Sequence, residues 1–205
     1  MADIAFPSTV NVTAYAEMLE FVVDTNVGRS FSSATRQLPG ARWRVKTKLA
    51  PFSLVNGAVA RGAAEAFVAS LRGGVNTVLM PHPYRPVPSG TLRGTPTLSS
   101  TAAIGATVAT FAATTGQTVL PGDIFSLGGQ RIMAIAAATA AGSAITITWE
   151  PALRVAVGSG TALVWNQPTV RLGLNPSTSE RGIWAPYTGK SMAAAIELDL
   201  CEVWS

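Results

Sequence analysis

The chain has 205 residues, of which 48% are hydrophobic and only 13% are charged. Soluble domains usually carry about 25% charged residues, so a chain this poor in charge is expected to bury much of its surface against other proteins. The net charge is +4, but the 15 basic residues are scattered along the chain. This distribution argues against the dense basic patch, interleaved with aromatic residues, of a nucleic-acid-binding domain.

The number of cysteines and the hydropathy pattern argue against disulfide-linked, cysteine–zinc, secreted and membrane-spanning proteins. Cys201 is the only cysteine, so neither an intrachain disulfide nor a cysteine-based zinc site is possible. The first ten residues lack the pattern of a signal peptide, and no apolar run reaches the ~18 residues of a membrane span. We therefore expect a chain that folds in a reducing cytoplasm. The 19 glycines and 13 prolines favour short strands joined by turns.

The segment before residue 41 has the least regular pattern. A short strand is predicted at 21–23 and a loop at 26–40, where Arg29 and Arg36 lie on either side of Phe31. Two interpretations of this loop remain open. It is either an ordinary surface loop or a segment that becomes ordered against a neighbouring subunit.

The clearest strand is predicted at 42–49, where two kinds of side chain alternate with a period of two residues. One face carries Trp43, Val45, Thr47 and Leu49. The other face carries Arg42, Arg44, Lys46 and Lys48. This basic face is either solvated or directed at another subunit or into a pore.

A single flanking helix is predicted at 58–71. Its apolar residues recur every four positions and form a narrow stripe suited to packing on a sheet. The stripe comprises Val59, Ala63, Phe67 and Leu71. Gly73 and Gly74 are expected to end the helix, and a strand follows at 76–80. The proline-rich segment 81–90 is expected to be a stiff, extended connection at a domain boundary.

The segment after this boundary is predicted to be a compact antiparallel unit. Gly128-Gly129 predicts a two-residue hairpin turn, because glycine readily takes the positive φ that such turns require. A further strand at 144–149 is expected to end before Pro151. About five strands fit within 91–167, which suits a small barrel or sandwich.

A final strand is predicted at 192–204, with Glu197 and Asp199 on one face. These acids are the cross-strand complement of Arg44 and Lys46, so we predict salt bridges between the two strands. If the strands are neighbours, 1–85 and 168–205 form one domain. Residues 90–167 are then a second domain inserted into it.

No catalytic, cofactor-binding or metal-binding set can be assembled from the sequence. His82, the only histidine, is expected to be exposed in the proline-rich segment. Asp123 is expected to bond backbone N–H groups of its own turn. Glu197 and Asp199 fit salt bridging better than acid–base catalysis, and the five tryptophans fit cores or interfaces. These features predict a protein that is not an enzyme and has no cofactor.

Several short motifs occur in an order that resembles a known family. The motifs are Arg42-Trp43-Arg44-Val45, the helix end 67–73, Pro121-Gly122-Asp123-Ile124, Gln130-Arg131-Ile132, 141–147 and Glu150-Pro151-Ala152-Leu153-Arg154. From about residue 40 to the end, the chain resembles the distal tail proteins, a group of minor tail proteins of long-tailed bacteriophages.

The resemblance implies a structural virion protein of the tail tip that is assembled in the host cytoplasm. Such proteins form a hexameric ring that joins the tail tube to the baseplate or tip complex, and the genome DNA passes through the lumen without specific recognition. The implied fold is mainly β with one flanking α-helix. Residues 1–85 and 168–205 form a tail-tube-like β-sandwich or split barrel, and 90–167 form a small barrel of the oligonucleotide/oligosaccharide-binding (OB) type.

The implied partners are further copies of the chain, the tail tube protein and baseplate hub or tip proteins, with tail fibres or host-surface glycans as further candidates. The candidate subunit-interface or lumen residues are Arg29, Arg36, Arg42, Arg44, Lys46 and Lys48. A second hypothesis is a carbohydrate- or host-surface-binding module, which exposed aromatic residues on 90–167 would favour. A third, a wall hydrolase, is opposed by the single histidine and the lack of a recognisable acid pair.

Overall fold

The structure is a computed structural model that describes residues 2–21, 23–27, 33–37, 41–49, 52–53, 58–175, 187–188, 192–193 and 196–203. It is mainly β, as predicted, and its described part contains a single α-helix, α1 (Ala58–Ser70). A short 3-10 helix follows it at Arg72–Gly74, and neither helix of the described part is long enough to cross a bilayer.

The described ranges contain strands of two to nine residues. In order they are β1 (Asp3–Ala5), β2 (Val12–Glu20), β3 (Val23–Val27), β4 (Ser33–Gln37), β5 (Arg42–Leu49), β6 (Phe52–Ser53), β7 (Thr77–Pro81), β8 (Val108–Ala112), β9 (Thr118–Val119), β10 (Ile124–Leu127), β11 (Gln130–Ala134), β12 (Ala138–Thr139), β13 (Ala144–Glu150), β14 (Leu163–Val164), β15 (Thr169–Leu174), β16 (Tyr187–Thr188), β17 (Met192–Ala193) and β18 (Glu197–Glu202).

The first sheet combines strands from both ends of the chain. Its six strands have the order β1-β7-β15-β18-β5-β2. Only the β1–β7 pair is parallel. β5 and β18 are neighbours, and Asp199 lies opposite Lys46 in their register. The strand pairing on which the inserted-domain prediction depended is therefore present.

The second sheet is built from one continuous part of the chain. Its order is β14-β10-β11-β13-β8, so all five strands lie between β7 and β15. Those two strands are adjacent and antiparallel in the first sheet, where Pro81 is opposite Thr169. The chain therefore leaves the first sheet and returns to it at the same place.

The second sheet curls into a half-barrel. A short segment at 96–98 hydrogen-bonds toward both edges of this sheet. The amide of Ala112, in edge strand β8, donates to the carbonyl of Thr97, and the amide of Leu163, in edge strand β14, donates to the carbonyl of Pro96. The two edges thus approach the same piece of chain.

The predicted glycine turn is confirmed. β10 and β11 form an antiparallel hairpin in which Leu127 is paired with Gln130. The two connecting residues, Gly128 and Gly129, have φ values of 57° and 80°. Residues other than glycine rarely adopt this left-handed backbone conformation, which explains why both positions are glycine.

Each sheet has its own hydrophobic core. The first core lies between the first sheet and α1 and includes Trp43, Val45, Leu71 and Leu198. The second fills the curled sheet around Phe111 and Trp149. Met133, on β11 of the second sheet, packs against the first core, so the two sheets are in direct contact.

The predicted apolar stripe of α1 is wrong at its first residue, although Ala63 packs against the first core as predicted. Val59 is 84% exposed, whereas Ala64, Phe67, Val68 and Leu71 are buried. A spacing of four residues overshoots one turn of the helix by about 40°, so a stripe of three such steps drifts around the axis. The buried face instead follows alternating steps of three and four residues.

One prediction about the N-terminal part also needs correction. The expected loop at 26–40 contains the strand β4, which pairs with β3 in an antiparallel hairpin. Arg36 belongs to β4 and is paired with Asp24 in the backbone register. Arg29 lies outside the described residues.

The expected final strand at 192–204 is not one strand. β17 pairs with β6 in a three-stranded sheet with β16, whereas β18 pairs with β5 and β15 in the first sheet. The two pieces are inner strands of two different sheets. The connection at 81–90 also differs from the prediction, because it is a series of bends rather than an extended rod.

Candidate functional site

The predicted basic face of β5 is present, but acidic residues of its neighbouring strands compensate its charge. The guanidinium of Arg44 binds Asp199 on β18 through two contacts, of 3.1 Å and 2.7 Å. The Nζ atom of Lys48 lies 2.9 Å from a carboxylate oxygen of Glu197, which is also on β18. Both predicted acids thus take part in cross-strand ion pairs.

The other neighbouring strand contributes a further acid. Glu20 on β2 lies 2.8 Å from the Nε atom of Arg42 and 3.9 Å from Arg44. The hydrogen bond from Arg44 lowers the pKa of Asp199, and the charge of Lys46 adds to this effect. The outer face of the first sheet is therefore a mixed field of ion pairs, of which Lys48–Glu197 is exposed and Arg44–Asp199 is partly buried. An exposed pair is expected to contribute about 0–1 kcal/mol.

A second cluster lies where the two sheets meet, and Arg131 of β11 is at its centre. The Arg131 side chain is fully buried. One terminal nitrogen donates to Glu17 and to the hydroxyl of Tyr15, each at a distance of 3.0 Å. The other donates to the carbonyls of Met80 and Pro168, at 3.0 and 3.3 Å. A residue of the second sheet is thus bound by β2 and by the two points where the inserted chain begins and ends.

Glu17 is the acidic partner of this cluster, and its side chain is only 9% exposed. Besides Arg131 and Tyr15, its carboxylate contacts the Nε2 atom of His82 at 3.1 Å and a terminal nitrogen of Arg85 at 2.7 Å. A buried charge is stable only when it is paired and hydrogen-bonded. Glu17 and Arg131 satisfy that condition for each other.

The electrostatics of the cluster follow from this arrangement. Burial opposes ionisation of Glu17, but the hydrogen bond from His82 and the charge of Arg131 lower its pKa to about 2. Burial raises the pKa of Tyr15 to about 12. Glu17 is therefore a carboxylate and Tyr15 a neutral phenol at physiological pH, which is unsuited to proton transfer between them.

The backbone of Arg131 is bound as well as its side chain. The indole nitrogen of Trp43 donates to the Arg131 carbonyl over 2.9 Å. The carboxylate of Glu202, on β18, accepts from the amide of Trp43 at 3.1 Å and also interacts with the backbone of Arg131. β13 pairs with β11 only at Met133 and Ala134, so side chains of the first sheet take the place of a strand at residue 131.

Glu202 is a buried acid with a shifted titration. Burial raises its pKa to about 7, although the hydrogen bond from the Trp43 amide and the charges of Arg131 and Arg154 oppose the shift. Glu202 lines a small cleft between the sheets. The cleft is too narrow to hold a substrate, and the acid is better understood as part of the contact between the sheets.

The connection at 82–90 is fixed at both ends. The Asp123 carboxylate accepts from the amide of Leu120 in its own turn, as predicted, and also from Ser89 and Gly90 in the connection, at 2.7 and 3.1 Å. Arg85 binds both Glu17 and the carbonyl of Gly122, the latter at 3.3 Å. The connection is therefore part of the contact between the sheets.

The prediction that His82 is exposed is wrong, because its side chain is only 5% exposed. Its Nδ1 atom accepts hydrogen bonds from the amides of Tyr84 and Arg85, at 3.1 and 2.9 Å. Its ring lies against Tyr15, with 4.8 Å between the ring centroids. The bend after β7 turns the imidazole inward, which the proline content of the segment does not reveal.

The tryptophans whose side chains are described do not form a binding platform. Trp43 and Trp149 are buried. Trp165 is half-buried, donates to the carbonyl of Gly94 over 2.7 Å and lies under the guanidinium of Arg93. Within the described ranges, no group of three or more histidine, cysteine or acidic side chains could hold a metal ion.

Comparison of the sequence with models of known protein families, and with functionally characterised proteins, found no match.

Sequence reasoning missed the cluster at the junction of the sheets. Arg131 entered the sequence analysis only as part of a short motif, and Glu17 and Glu202 were not singled out. One signal was available. Arg131 occupies a strand whose other residues are mostly apolar, and a charged residue at such a position requires a buried partner.

Proposed function

We propose that this chain is a structural subunit of the tail tip of a long-tailed bacteriophage, where it forms a hexameric ring joining the tail tube to the baseplate or tip complex. One observation supports the proposal above the others. A six-stranded sheet with one helix is assembled from both ends of the chain, and a second sheet is inserted between its neighbouring strands β7 and β15. This is the arrangement that the resemblance to distal tail proteins implies.

In this proposal the first sheet and α1 are the ring-forming domain, a tail-tube-like split barrel or sandwich. The curled second sheet is the inserted barrel of the OB type. The hydrogen bonds from 96–98 toward both of its edges support a closed barrel, since closure satisfies the backbone groups that an open edge would leave free.

The scarcity of charge in the inserted segment supports an assembly role. Between residues 91 and 167 the charged side chains are Arg93, Asp123, Arg131, Glu150 and Arg154. Asp123 and Arg131 are buried. The segment therefore presents an almost uncharged surface, and charged residues are depleted at the centres of protein–protein interfaces.

The outer face of the first sheet is the proposed subunit interface or lumen wall. A homomeric ring uses two different patches of each subunit, which meet around a closed circle. The ion pairs of Arg42, Arg44 and Lys48 leave little excess charge on this face. Such a wall would let DNA pass without holding it, because non-specific DNA affinity depends on uncompensated cations.

The test is the mass of the purified chain in solution together with electron microscopy. Six-fold rings are the expected result. Lys46→Glu, on the proposed interface or lumen face, should weaken ring formation or change its salt dependence, whereas Arg72→Glu, an exposed charge reversal at the end of α1, should not. A monomer that persists at high concentration in the presence of tail tube protein would contradict the proposal.

The carbohydrate-binding alternative has less support. It expected exposed aromatic residues on 90–167, but Trp149 is buried and Trp165 is held by Gly94 and Arg93. Binding of the purified chain to host-surface glycans, lost on Trp165→Ala, would favour this alternative over a purely structural role.

A further inference from the structure

We propose that Arg131 is a latch that holds the second sheet in one fixed orientation on the first. The alternative is a second sheet that swings freely on its two connections. The proposal concerns the internal mechanics of the chain and does not depend on the ring function. It rests on the contacts of the Arg131 guanidinium and backbone.

The covalent connections alone would form a hinge. The chain leaves the first sheet after Pro81 and returns at Thr169, and these residues are directly opposite each other in neighbouring strands. Two connections that start from one point permit rotation about that point. Inserted domains joined in this way commonly move relative to their hosts unless an interface prevents it.

The guanidinium of Arg131 binds the hinge itself. The carbonyls of Met80 and Pro168, which accept from its Nη2 atom, belong to the residues immediately before Pro81 and Thr169. The side chain comes from β11, in the middle of the inserted segment. One side chain therefore fixes the outgoing and the returning chain at the same time.

The contact is all-or-none because Arg131 is fully buried. Rotation of the second sheet would withdraw the guanidinium from Glu17, Tyr15 and both carbonyls together. Glu17 would keep only the partners from the connection and its own strand. A buried ion pair that loses one partner is strongly disfavoured, so intermediate positions of the second sheet are not populated.

The backbone contacts reinforce the latch at the same residue. Trp43 binds the Arg131 carbonyl, and Glu202 interacts with the backbone of the same residue. Both come from inner strands of the first sheet, β5 and β18. Arg131 is thus held through its side chain by β2 and the hinge, and through its backbone by β5 and β18.

The experiment measures the distance between the sheets with spin labels. Lys46→Cys and Ala112→Cys place one label on an exposed strand position of each sheet, in a Cys201→Ala background that removes the native thiol. The latch predicts a narrow distance distribution in the otherwise unchanged chain. Arg131→Met should broaden it, with the open population rising about 10²- to 10³-fold, as for a buried ion pair that loses one partner. Arg42→Met, which removes an arginine from the outer face, should leave the distribution narrow.

Each outcome decides the proposal. A broad distribution of label–label distances in the otherwise unchanged chain overturns the proposal. A narrow distribution in a folded Arg131→Met variant overturns it as well. If Arg131→Met does not fold, Glu17→Gln preserves side-chain size and removes the charge that pairs with Arg131. The latch then predicts a broadened distribution in Glu17→Gln, and an unchanged one overturns it.

Discussion

The indole nitrogen of Trp43 lies 2.9 Å from the carbonyl oxygen of Arg131, and this hydrogen bond joins the central strand β5 to the inserted sheet. Both residues are buried. The Arg131 carbonyl is therefore shielded from water, and the indole is its partner from the first sheet.

Trp43→Phe should destabilise the chain by about 1–3 kcal/mol, because it leaves a buried carbonyl without that partner while keeping most of the aromatic packing. Urea unfolding at neutral pH would measure the change. Trp165→Phe is the matched control. It removes an indole hydrogen bond to Gly94 at an exposed site, where water can replace the donor, and it should cost less.

Glu202 should make the stability of the chain depend on pH. Its folded pKa of about 7 lies above the ordinary value of 4.5, so the folded state binds the proton more tightly than the unfolded state. The contribution of Glu202 to the free energy of unfolding is therefore complete below about pH 4.5 and is lost as the pH rises through 7. Its size is on the order of 3 kcal/mol.

Glu202→Gln removes that titration while keeping the shape of the side chain. Unfolding free energies measured from pH 4 to 8 should fall more steeply in the unchanged chain than in the variant. The groups facing Glu202 are the Trp43 amide and the charges of Arg131 and Arg154, none of which titrates in this range. Parallel curves for the two proteins would show that Glu202 is ionised throughout.

Asp123→Ala should destabilise the connection between the sheets. Three backbone amides, of Ser89, Gly90 and Leu120, lose their acceptor in this variant. We expect a loss of about 2–4 kcal/mol, since hydrogen bonds to charged groups are the stronger ones, and faster proteolysis within 82–90. Glu197→Ala, which removes a largely exposed carboxylate paired with Lys48, should change stability by less than about 1 kcal/mol.

Deletion of 90–167 with a short linker should leave a soluble, folded first sheet. The topology favours this outcome because Pro81 and Thr169 are paired, so residues 82–89 and a short linker need to connect only two neighbouring strands. Deletion also uncovers Glu17 and Trp43, which the second sheet normally buries. Pairing the deletion with Glu17→Gln should therefore improve its stability, and circular dichroism with thermal unfolding would test both forms. A deletion variant without strand signal would contradict the inserted-domain hypothesis.

Local patterns predicted those parts of the fold that depend on neighbouring residues. The two-residue alternation of β5 and the Gly128-Gly129 turn are both read from consecutive positions. The pairing of β5 with β18 was also predictable, because Glu197 and Asp199 carry the charges that complement the basic face of β5. Complementary charge on two regular strands is one of the few long-range signals that a single sequence contains.

The junction between the sheets was not predictable in this way. Glu17 and Arg131 are 114 positions apart, and neither lies in a pattern that indicates a partner. Their contact depends on where the inserted sheet rests on the first, which is a property of tertiary packing. His82 was misjudged for the same reason, since its burial results from a bend and from Tyr15 and Glu17 on β2.

The position of β18 has a consequence for how the chain folds during synthesis. β18 is made after every other described strand, yet it lies between β15 and β5 in the first sheet. All strands of the second sheet are complete long before β18 leaves the ribosome. The nascent chain therefore carries a finished inserted sheet beside a first sheet that lacks one of its inner strands. Domains generally fold as units as they emerge. The inserted sheet can therefore act as a template that brings Arg131 to Glu17 before β18 is added to the first sheet.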